Sequence, residues 1–378
     1  MARRPADTSR PVFLFGTLLH PPLFAAVAGE VATFQPARRP RHRVARVAGQ
    51  DFPVMVAGGA AAYGALVSDL SPRALERLHY YEAAFGYHAA EIEVIDAAER
   101  PVMALAYLPA PGRWQAAPED WSLGTWIAEH GARTCEAAAE AMSLHGKAPA
   151  EVMGRRHAQM LSRADSRLRG AASPHSGGPS RDEVTLLDLR RPYINYFATE
   201  EMDLSFRRFD GRMSAPVERA VWCAGDAALV LPYDPRRDRV LLVEQFRVGP
   251  YRRGDPSPWI TEPVAGRIDP GESSEQAARR EAAEEAGVAF RALECIAAGY
   301  ASPGTTTEHF HIFLGVADLP DDLPGLGGKF DEDEDIRSHL MDWADFDARL
   351  VAGGFRLVPL ELAGHWLARN RDRLRASA

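Results

Sequence analysis

The segment that decides the fold is Gly266–Val288, GRIDPGESSEQAARREAAEEAGV. Its Asp-Pro-Gly at 269–271 is typical of a turn, and Ser273 followed by Gln276 fits a capping box at the start of a helix. Gly287 predicts the end of that helix, because glycine accepts the left-handed backbone just past a helix terminus. The segment therefore predicts a loop, a helix and a second loop.

Three glutamates of the predicted helix would share one face. Glu281, Glu284 and Glu285 stand at positions i, i+3 and i+4, where side chains are neighbours about 5–6 Å apart at Cβ. Like charges repel at that spacing. Concentrated carboxylate oxygens suit a divalent cation such as Mg²⁺, which proteins hold through a few carboxylates together with substrate phosphates. A solvated acidic surface is the alternative that the helix by itself leaves open.

The spacing of the whole segment resembles the signature of the Nudix hydrolases, and we call residues 266–288 the Nudix box. Its fixed positions are Gly266, Glu272, Arg280, Glu281, Glu284, Glu285, Gly287 and Val288. The resemblance implies a Nudix fold, an α/β/α sandwich around a mixed sheet, in the C-terminal part of the chain. It also implies an enzyme that hydrolyses a nucleoside diphosphate linked to a second group.

The resemblance further implies roles for individual residues. Glu281 and Glu285 would be the principal Mg²⁺ ligands and Glu284 an additional one, with Mn²⁺ as an alternative ion. The main-chain carbonyl of Ala265 would complete the metal shell, and Arg280 would hold a box carboxylate in place. Such an ion neutralises pyrophosphate charge and lowers the pKa of the attacking water. On this reading Glu285 and Arg280 are also catalytic residues.

Segments outside the Nudix box resemble the ADP-ribose pyrophosphatase branch of the family, which also contains GDP-mannose hydrolases. One of them is YASPGTTTEHFHIFLG at 300–315, with Pro303 as the marker of the branch. By this resemblance Arg219 and Arg247 would contact the substrate, since guanidinium groups match phosphate oxygens. Glu262 would lie beside the ribose or the metal. A surface salt bridge is the alternative for each arginine.

Two further pairs of residues receive roles from the same resemblance. Tyr196 and Phe197 align with the aromatic residue that stacks on adenine, although core packing would explain them equally well. Glu332 and Glu334 in DEDEDIR match the mobile loop that bears the catalytic glutamate. A base on a loop can reach the attacking water when substrate is bound. We favour Glu332 as the base and Glu334 as a metal or substrate contact, with a solvated acidic run as the alternative.

The functional hypothesis is Mg²⁺-dependent hydrolysis of ADP-ribose to AMP and ribose 5-phosphate. The alternatives are another nucleotide sugar such as GDP-mannose, and a sensor that binds ADP-ribose without turnover. The intact set of box glutamates favours catalysis, because a pure binder has no need to keep repelling charges together. Relatives in this branch are homodimers in which the strand before the hairpin, here 207–222, crosses to the partner subunit, and we expect the same arrangement.

The first hundred residues resemble a second family, the γ-glutamylcyclotransferase-like proteins. The segments that carry the resemblance are VFLFGTLL at 12–19 and LHYYEAAFGYHAAEIEV at 78–94. It implies a mixed β-barrel domain. Phe15 replaces the commoner tyrosine of the family pattern, and His79 stands where an aspartate often precedes the glutamate.

This second resemblance implies a second site. Gly16, Thr17 and Leu18 would form a backbone cradle for the substrate, and Glu82 would transfer the proton during cyclisation. The alternatives are a scaffold or a site that only binds a small ligand, since an aromatic-glycine turn is by default a strand end with a permissive backbone. The fusion of the two domain types resembles proteins described as tellurite-resistance associated.

Composition divides the chain into two α+β domains. The segment GAASPHSGGPSRDE is rich in Gly, Ser and Pro, which is typical of a flexible linker. We therefore expect a γ-glutamylcyclotransferase-like domain with a helical extension at 1–168, a linker at 169–184 and a Nudix hydrolase domain at 185–378.

The overall composition limits the partners. A net charge of −8 argues against binding to nucleic acid. The apolar run near the N-terminus is interrupted by glycine and prolines, and no stretch approaches 18 apolar residues, so we expect a cytoplasmic protein without a membrane span. The three cysteines are far apart, which supports neither a disulfide framework nor a zinc site.

Overall fold

The structure is a computed structural model that describes residues 10–174, 177–323, 325–328 and 334–377. The chain forms two compact units, Met1–Pro174 and His175–Ala378. The last helix of the first unit spans Ala150–Ala172. Residues 169–172, which we assigned to the linker on composition, are therefore helical, because alanine and arginine continue the helix up to the Ser-Pro pair that follows.

The first unit contains six strands and five α-helices among its described residues. The strands are β1 (Val12–Leu14), β2 (Gln35–Val47), β3 (Pro53–Val67), β4 (Tyr87–Asp96), β5 (Pro101–Pro109) and β6 (Ala116–Asp120). The helices are α1 (Pro21–Ala28), α2 (Pro72–Ala84), α3 (Leu123–Trp126), α4 (Ala132–Ala141) and α5 (Ala150–Ala172).

Five strands of this unit close into a barrel. β1 pairs with β3 and β5, β5 pairs with β4, β4 with β2, and β2 with β3, which completes the ring. β1 and β5 run parallel and the other pairs run antiparallel, so the predicted mixed β-barrel is confirmed. Phe13, Leu66 and Val94 are among the side chains that fill its interior.

Helices α4 and α5 form the helical extension after the barrel. Arg163 of α5 and Glu140 of α4 pair at 2.5 Å with both side chains 1% exposed. Gly154 of α5 faces the last residue of α2, Ala84. A Cβ at Gly154 would lie 3.1 Å from the carbonyl carbon of Ala84 and would overlap its oxygen. Glycine at this position therefore lets α5 pack directly on the end of α2.

The second unit contains eleven strands and four α-helices among its described residues. The strands are β7 (Val184–Ile194), β8 (Ala198–Phe206), β9 (Val217–Cys223), β10 (Ala227–Asp234), β11 (Arg239–Phe246), β12 (Trp259–Glu262), β13 (Val264–Arg267), β14 (Phe290–Tyr300), β15 (His309–Ala317), β16 (Leu326–Gly327) and β17 (Ile336–Asp342). The helices are α6 (Val248–Arg253), α7 (Ser274–Ala286), α8 (Trp343–Val351) and α9 (Val358–Ala376).

Eight strands of this unit form a mixed sheet that lies between helices. The order is β14-β15-β10-β11-β17-β16, with β13 beside β10 and β12 beside β11. β10 and β15 are parallel, and the other pairs are antiparallel. Helix α7 packs on one face through alanines such as Ala278 and Ala282, and Phe346 of α8 and Leu367 of α9 cover the other. The predicted α/β/α sandwich is confirmed.

The remaining strands β7, β8 and β9 form a separate antiparallel sheet of three strands. Several of its apolar side chains are exposed, among them Leu186, Leu187, Tyr193 and Trp222. Within the described parts of the chain, no helix has the length and apolar character needed to cross a membrane.

Candidate active site

The Nudix box forms the loop and helix that its sequence predicts. The side chain of Ser273 accepts a hydrogen bond from the backbone N–H of Gln276 at 3.2 Å, and the Gln276 side chain accepts one from the N–H of Ser273 at 2.8 Å. Helix α7 ends at Gly287, whose φ of 64° lies in the left-handed region. Both predicted termini are confirmed.

Strand β13 and helix α7 meet at Gly266. A Cβ added there would lie 2.6 Å from Cγ of Glu281 and would overlap its carboxylate. The absence of a side chain at 266 therefore allows the Glu281 carboxylate to lie against the backbone of the strand. A side chain at 266 would therefore displace Glu281 from this position.

Glu285 is the most buried carboxylate of the box, at 2% exposure. It accepts a hydrogen bond from the backbone N–H of Ala265 at 3.3 Å. Burial raises the pKa of Glu285 to about 9. The charges of Glu281, Glu334 and Glu262 act in the same direction, so these carboxylates are close enough to interact electrostatically.

Arg280 connects several parts of the box through one guanidinium group. It donates to both carboxylate oxygens of Glu272, at 3.0 and 2.9 Å, and to the carbonyl of Arg267 at 2.9 Å. It also donates to Glu281 at 2.6 Å and to Glu284 at 3.2 Å. Hydrogen bonding to Glu272 raises the pKa of Arg280, so the group remains a cation that partly compensates the acidic helix face.

These contacts hold the box carboxylates at different partners rather than around one common point. Within the described ranges, no group of three acidic, histidine or cysteine side chains is arranged to hold a metal ion. Arg280 engages Glu281 and Glu284, while Glu285 bonds to the backbone of Ala265. The donor set is nevertheless of the type that suits Mg²⁺ or Mn²⁺, since it consists of hard carboxylate oxygens, one of them deeply buried.

Arg247 and Glu262 form a two-point ion pair beside the box. The guanidinium donates to both oxygens of Glu262, at 2.8 and 2.9 Å, and Glu262 is 4% exposed. Burial raises the pKa of Glu262, and its bond to Arg247 opposes that change. The charges of Glu285 and Glu334 also act on Arg247. The structure therefore brings these predicted residues together with the box.

The aromatic pair Tyr196 and Phe197 lies beside Arg267, the last residue of β13. The ring of Tyr196 is more than half exposed, and the guanidinium carbon of Arg267 lies 4.0 Å from its centroid and 4.7 Å from that of Phe197. Phe197 also packs on Trp222, with ring centroids 5.1 Å apart. The exposed face of Tyr196 does not belong to the core.

Pro303 lies in an exposed turn that hydrogen-bonds to the backbone of Trp222, the residue on which Phe197 packs. The carbonyl of Thr305 accepts a hydrogen bond from the backbone N–H of Trp222 at 2.8 Å. Arg219 is exposed on β9, where its guanidinium donates to the carbonyl of Glu218 at 2.8 Å. Among the described residues it makes no hydrogen bond to a box carboxylate. Glu332 lies outside the described residues.

Sequence reasoning missed two residues of this site, Arg267 and Glu308. Burial raises the pKa of Glu308, while the charges of Arg267 and Arg247 oppose that change. Both arginines are therefore close enough to Glu308 to interact with its charge. The only sequence signals were the position of Arg267 directly after the box glycine and that of Glu308 shortly after the Pro303 turn.

The first unit contains a separate cavity of about 570 Å³. Gly16, Thr17, Leu18 and Glu82 line it together, so the structure gathers the four residues that the second resemblance selected. Burial raises the pKa of Glu82 to about 8. His79, which replaces the usual aspartate, lies 3.1 Å from the hydroxyl of Tyr107, measured from Nδ1.

Comparisons with known proteins match each of the two units to the family that its sequence resembles. The profile of the family described as "NUDIX domain" matches residues 224–360, and the profile described as "Gamma-glutamyl cyclotransferase, AIG2-like" matches residues 12–128.

Curated relatives match the chain over a shorter span. The ADP-ribose pyrophosphatase of Escherichia coli (strain K12) is 39% identical over 161 residues, 43% of this chain and 76% of that protein. The ADP-ribose pyrophosphatase of Haemophilus influenzae is 34% identical over 164 residues, 43% and 75% of the two chains. The GDP-mannose pyrophosphatase of Cronobacter sakazakii is 34% identical over 162 residues, 43% and 83% of the two chains.

Proposed function

The chain belongs to the Nudix hydrolase family, and from that premise we propose that its C-terminal unit hydrolyses the pyrophosphate of ADP-ribose to AMP and ribose 5-phosphate with Mg²⁺. The observation that supports this most is the acidic face of α7, where Glu281 lies on the backbone of Gly266 and Glu285 is buried beside Ala265. Relatives named ADP-ribose pyrophosphatase support the choice of substrate.

The ion would be held by the carboxylates of the box. Glu281 and Glu285 would be its principal ligands, with Glu284, Glu334 and the carbonyl of Ala265 as further donors. When bound, a divalent cation neutralises the charge of the pyrophosphate and lowers the pKa of the attacking water. The hard oxygen donors fit this role, and Mn²⁺ would fit the same set.

The residues around the box would bind and orient the substrate. Arg247 is held by Glu262 in a fixed orientation and would contact the phosphates, because a planar guanidinium matches phosphate oxygens. Tyr196 would stack on adenine through its exposed ring. Glu332 would take the proton of the water as it attacks phosphorus and the P–O–P bond breaks.

The test is a product screen with a matched pair of variants. We expect full-length protein with Mg²⁺ to convert ADP-ribose to AMP and ribose 5-phosphate, and EDTA to stop the reaction. Glu285→Gln should lose activity by orders of magnitude, whereas Glu275→Gln should retain it, since Glu275 is an exposed residue of the same helix that pairs with Arg279. Unchanged turnover by the Glu285 variant would refute the metal assignment.

The screen also separates the alternatives. A relative named GDP-mannose pyrophosphatase makes GDP-mannose the second substrate to include, and a higher kcat/KM for it would replace ADP-ribose in the proposal. A sensor would bind ADP-ribose, as measured by calorimetry, without releasing AMP under any metal condition.

We also propose that the protein is a homodimer formed through the sheet of β7, β8 and β9. Leu186 and Leu187 are each 53% exposed and Trp222 is 42% exposed, and a second copy would cover them. Arg219 is exposed on the same sheet. Sedimentation should give a dimer for the wild type and a monomer for the Leu186→Glu, Leu187→Glu double variant. A monomeric wild type would contradict the proposal.

A second function is favoured by the cavity of the first unit. We propose that it cyclises γ-glutamyl amides. The α-amine of the substrate attacks the γ-carbonyl, the amide C–N bond breaks, and the amine leaves with the proton that Glu82 transfers, which gives 5-oxoproline. A carboxyl whose pKa is about 8 can both accept and donate a proton near neutral pH. Glu82→Gln should abolish 5-oxoproline formation while leaving ADP-ribose hydrolysis unchanged.

A further inference from the structure

Helix α5 lines the cavity of the first unit although it lies beyond the AIG2-like match, which ends at residue 128. We propose that α5 makes this cavity selective for γ-glutamyl amides whose amine part carries a bulky apolar group. The inference rests on the cyclisation proposed above and concerns which amides the cavity accepts. The lining residues from α5 are Glu151, Gly154, Arg155, His157, Ala158 and Leu161.

The position of α5 is fixed by packing and by buried charge. The close approach at Gly154 places the helix on the end of α2, two residues after Glu82. Arg163 and Glu140 hold it to α4 with almost no exposure of either side chain. Because α5 is fixed by the packing at Gly154 and by the ion pair of Arg163, its lining residues keep their positions. A rigid site discriminates between ligands better than a flexible one.

The wall between α5 and the barrel is aromatic. The rings of Phe85 and His157 meet edge to face, with centroids 4.9 Å apart and an interplanar angle of 88°. Phe52 contacts Phe85 and Trp114, at 5.8 and 5.1 Å. Burial lowers the pKa of His157 to about 4, so its imidazole is neutral at physiological pH. These surfaces favour an apolar group.

The two ends of the cavity differ in character. The backbone of residues 16–18 and the carboxyl of Glu82 are assigned to the γ-glutamyl group, and the aromatic wall is then left for the amine part. The exposed lining residues Arg113, Glu151 and Arg155 carry both signs of charge, which gives little preference for a charged amine. A volume of about 570 Å³ falls in the range of sites that enclose drug-sized ligands of about 300–1,000 Å³, and it leaves room beyond a glutamyl group.

The test compares two probes that differ only in the amine part, γ-L-glutamyl-anilide and γ-L-glutamyl-glycine. Binding is measured by calorimetry on full-length Glu82→Gln, which should not turn the probes over. We expect the anilide to bind at least about tenfold more tightly, because its ring buries additional apolar surface. Adding Ala158→Trp, which fills the α5 side of the cavity, should reduce that ratio to about one. Adding Ala171→Trp, an exposed position of α5 outside the lining, should leave the ratio unchanged.

A second variant separates binding from structure at His157. Its Nε2 is buried without a hydrogen-bond partner among the described residues, and such a group is costly to leave unsatisfied. His157→Leu should therefore keep or raise the Tm of the free protein while changing the ratio of the two affinities. A lower Tm with an unchanged ratio would show a purely structural role for His157.

The outcomes distinguish the inference from the reaction on which it rests. Equal affinity for the two probes, no effect of Ala158→Trp on the ratio, or no binding of either probe would overturn the selectivity. If the wild type prefers the anilide but releases neither aniline nor 5-oxoproline, the selectivity of the cavity stands and the proposed cyclisation fails.

Discussion

The contact between Gly266 and Glu281 gives a sharp test of the Nudix site, because one methyl group should displace one carboxylate. In Gly266→Ala the new Cβ would lie 2.6 Å from Cγ of Glu281, whereas unstrained carbon atoms lie about 3.5–4.0 Å apart. The new Cβ would also overlap the Glu281 carboxylate itself, so the side chain must move by at least about 1 Å. A misplacement of about 1 Å in an active site can cost about 10²-fold in rate, or about 2.7 kcal/mol of transition-state stabilisation.

We expect kcat/KM for ADP-ribose to fall about 10²-fold, with a higher Mg²⁺ concentration needed for half-maximal rate. The bond from Arg280 to Glu281, at 2.6 Å, prevents the carboxylate from moving freely to a new productive position. Circular dichroism and thermal melting check that the fold persists. Gly299→Ala is the control, since a Cβ at that position of β14 meets no atom within 4 Å. If Gly266→Ala keeps kcat/KM within about threefold of wild type with the same Mg²⁺ dependence, Glu281 is not a metal ligand.

Three further predictions concern stability. The pKa of Glu82 is about 8 against an ordinary 4.5, so between these values the folded state retains a proton that the unfolded chain releases. The stabilisation from this proton is full below about pH 4.5 and is lost as the pH rises to about 8. Urea unfolding at pH 5, 7 and 9 should show this fall in the free energy of unfolding for the wild type and not for Glu82→Gln. Arg163→Met removes the buried partner of Glu140 and leaves only the longer contact with Arg167, at 3.6 Å. It should cost up to about 3–5 kcal/mol, most of which the double variant with Glu140→Leu should recover. A loss below about 1 kcal/mol would contradict the importance of the Arg163 pair. Gly327→Ala would place a Cβ 2.7 Å from the carbonyl carbon of Glu285 and would overlap its oxygen. This should lower the free energy of unfolding by roughly 1–3 kcal/mol. Gly325→Ala, whose Cβ meets nothing within 4 Å, should leave the free energy of unfolding unchanged.

The features that could be predicted from the sequence are those that depend on local spacing. The capping residues Ser273 and Gln276 and the terminal Gly287 fix the box helix within 15 residues, and the structure confirms each of them. The two domain types were recognised because their short motifs combine several fixed residues. The barrel and the sandwich then followed from the resemblances, and the structure confirms both.

The features that could not be predicted depend on which distant segments become neighbours. Arg163 is a basic residue in an arginine-rich helix, where composition favours a solvated face. Its side chain is nevertheless 1% exposed and pairs with Glu140, which lies 23 residues earlier. Arg267 and Glu308 are brought together because β13 and β15 both pair with β10. A single sequence carries no signal for that strand order. The assignments of Glu332, Arg219 and the other site residues remain predictions.

The shared use of Arg280 affects how mutations in this protein combine. Glu272, Glu281 and Glu284 all receive hydrogen bonds from the same guanidinium group, so removing one acceptor changes the surroundings of the other two. Their effects should therefore be strongly epistatic, and the sum of single-variant costs will not give the cost of a combination. A deep mutational scan should show position 280 as the hub whose replacement masks the phenotypes of its neighbours.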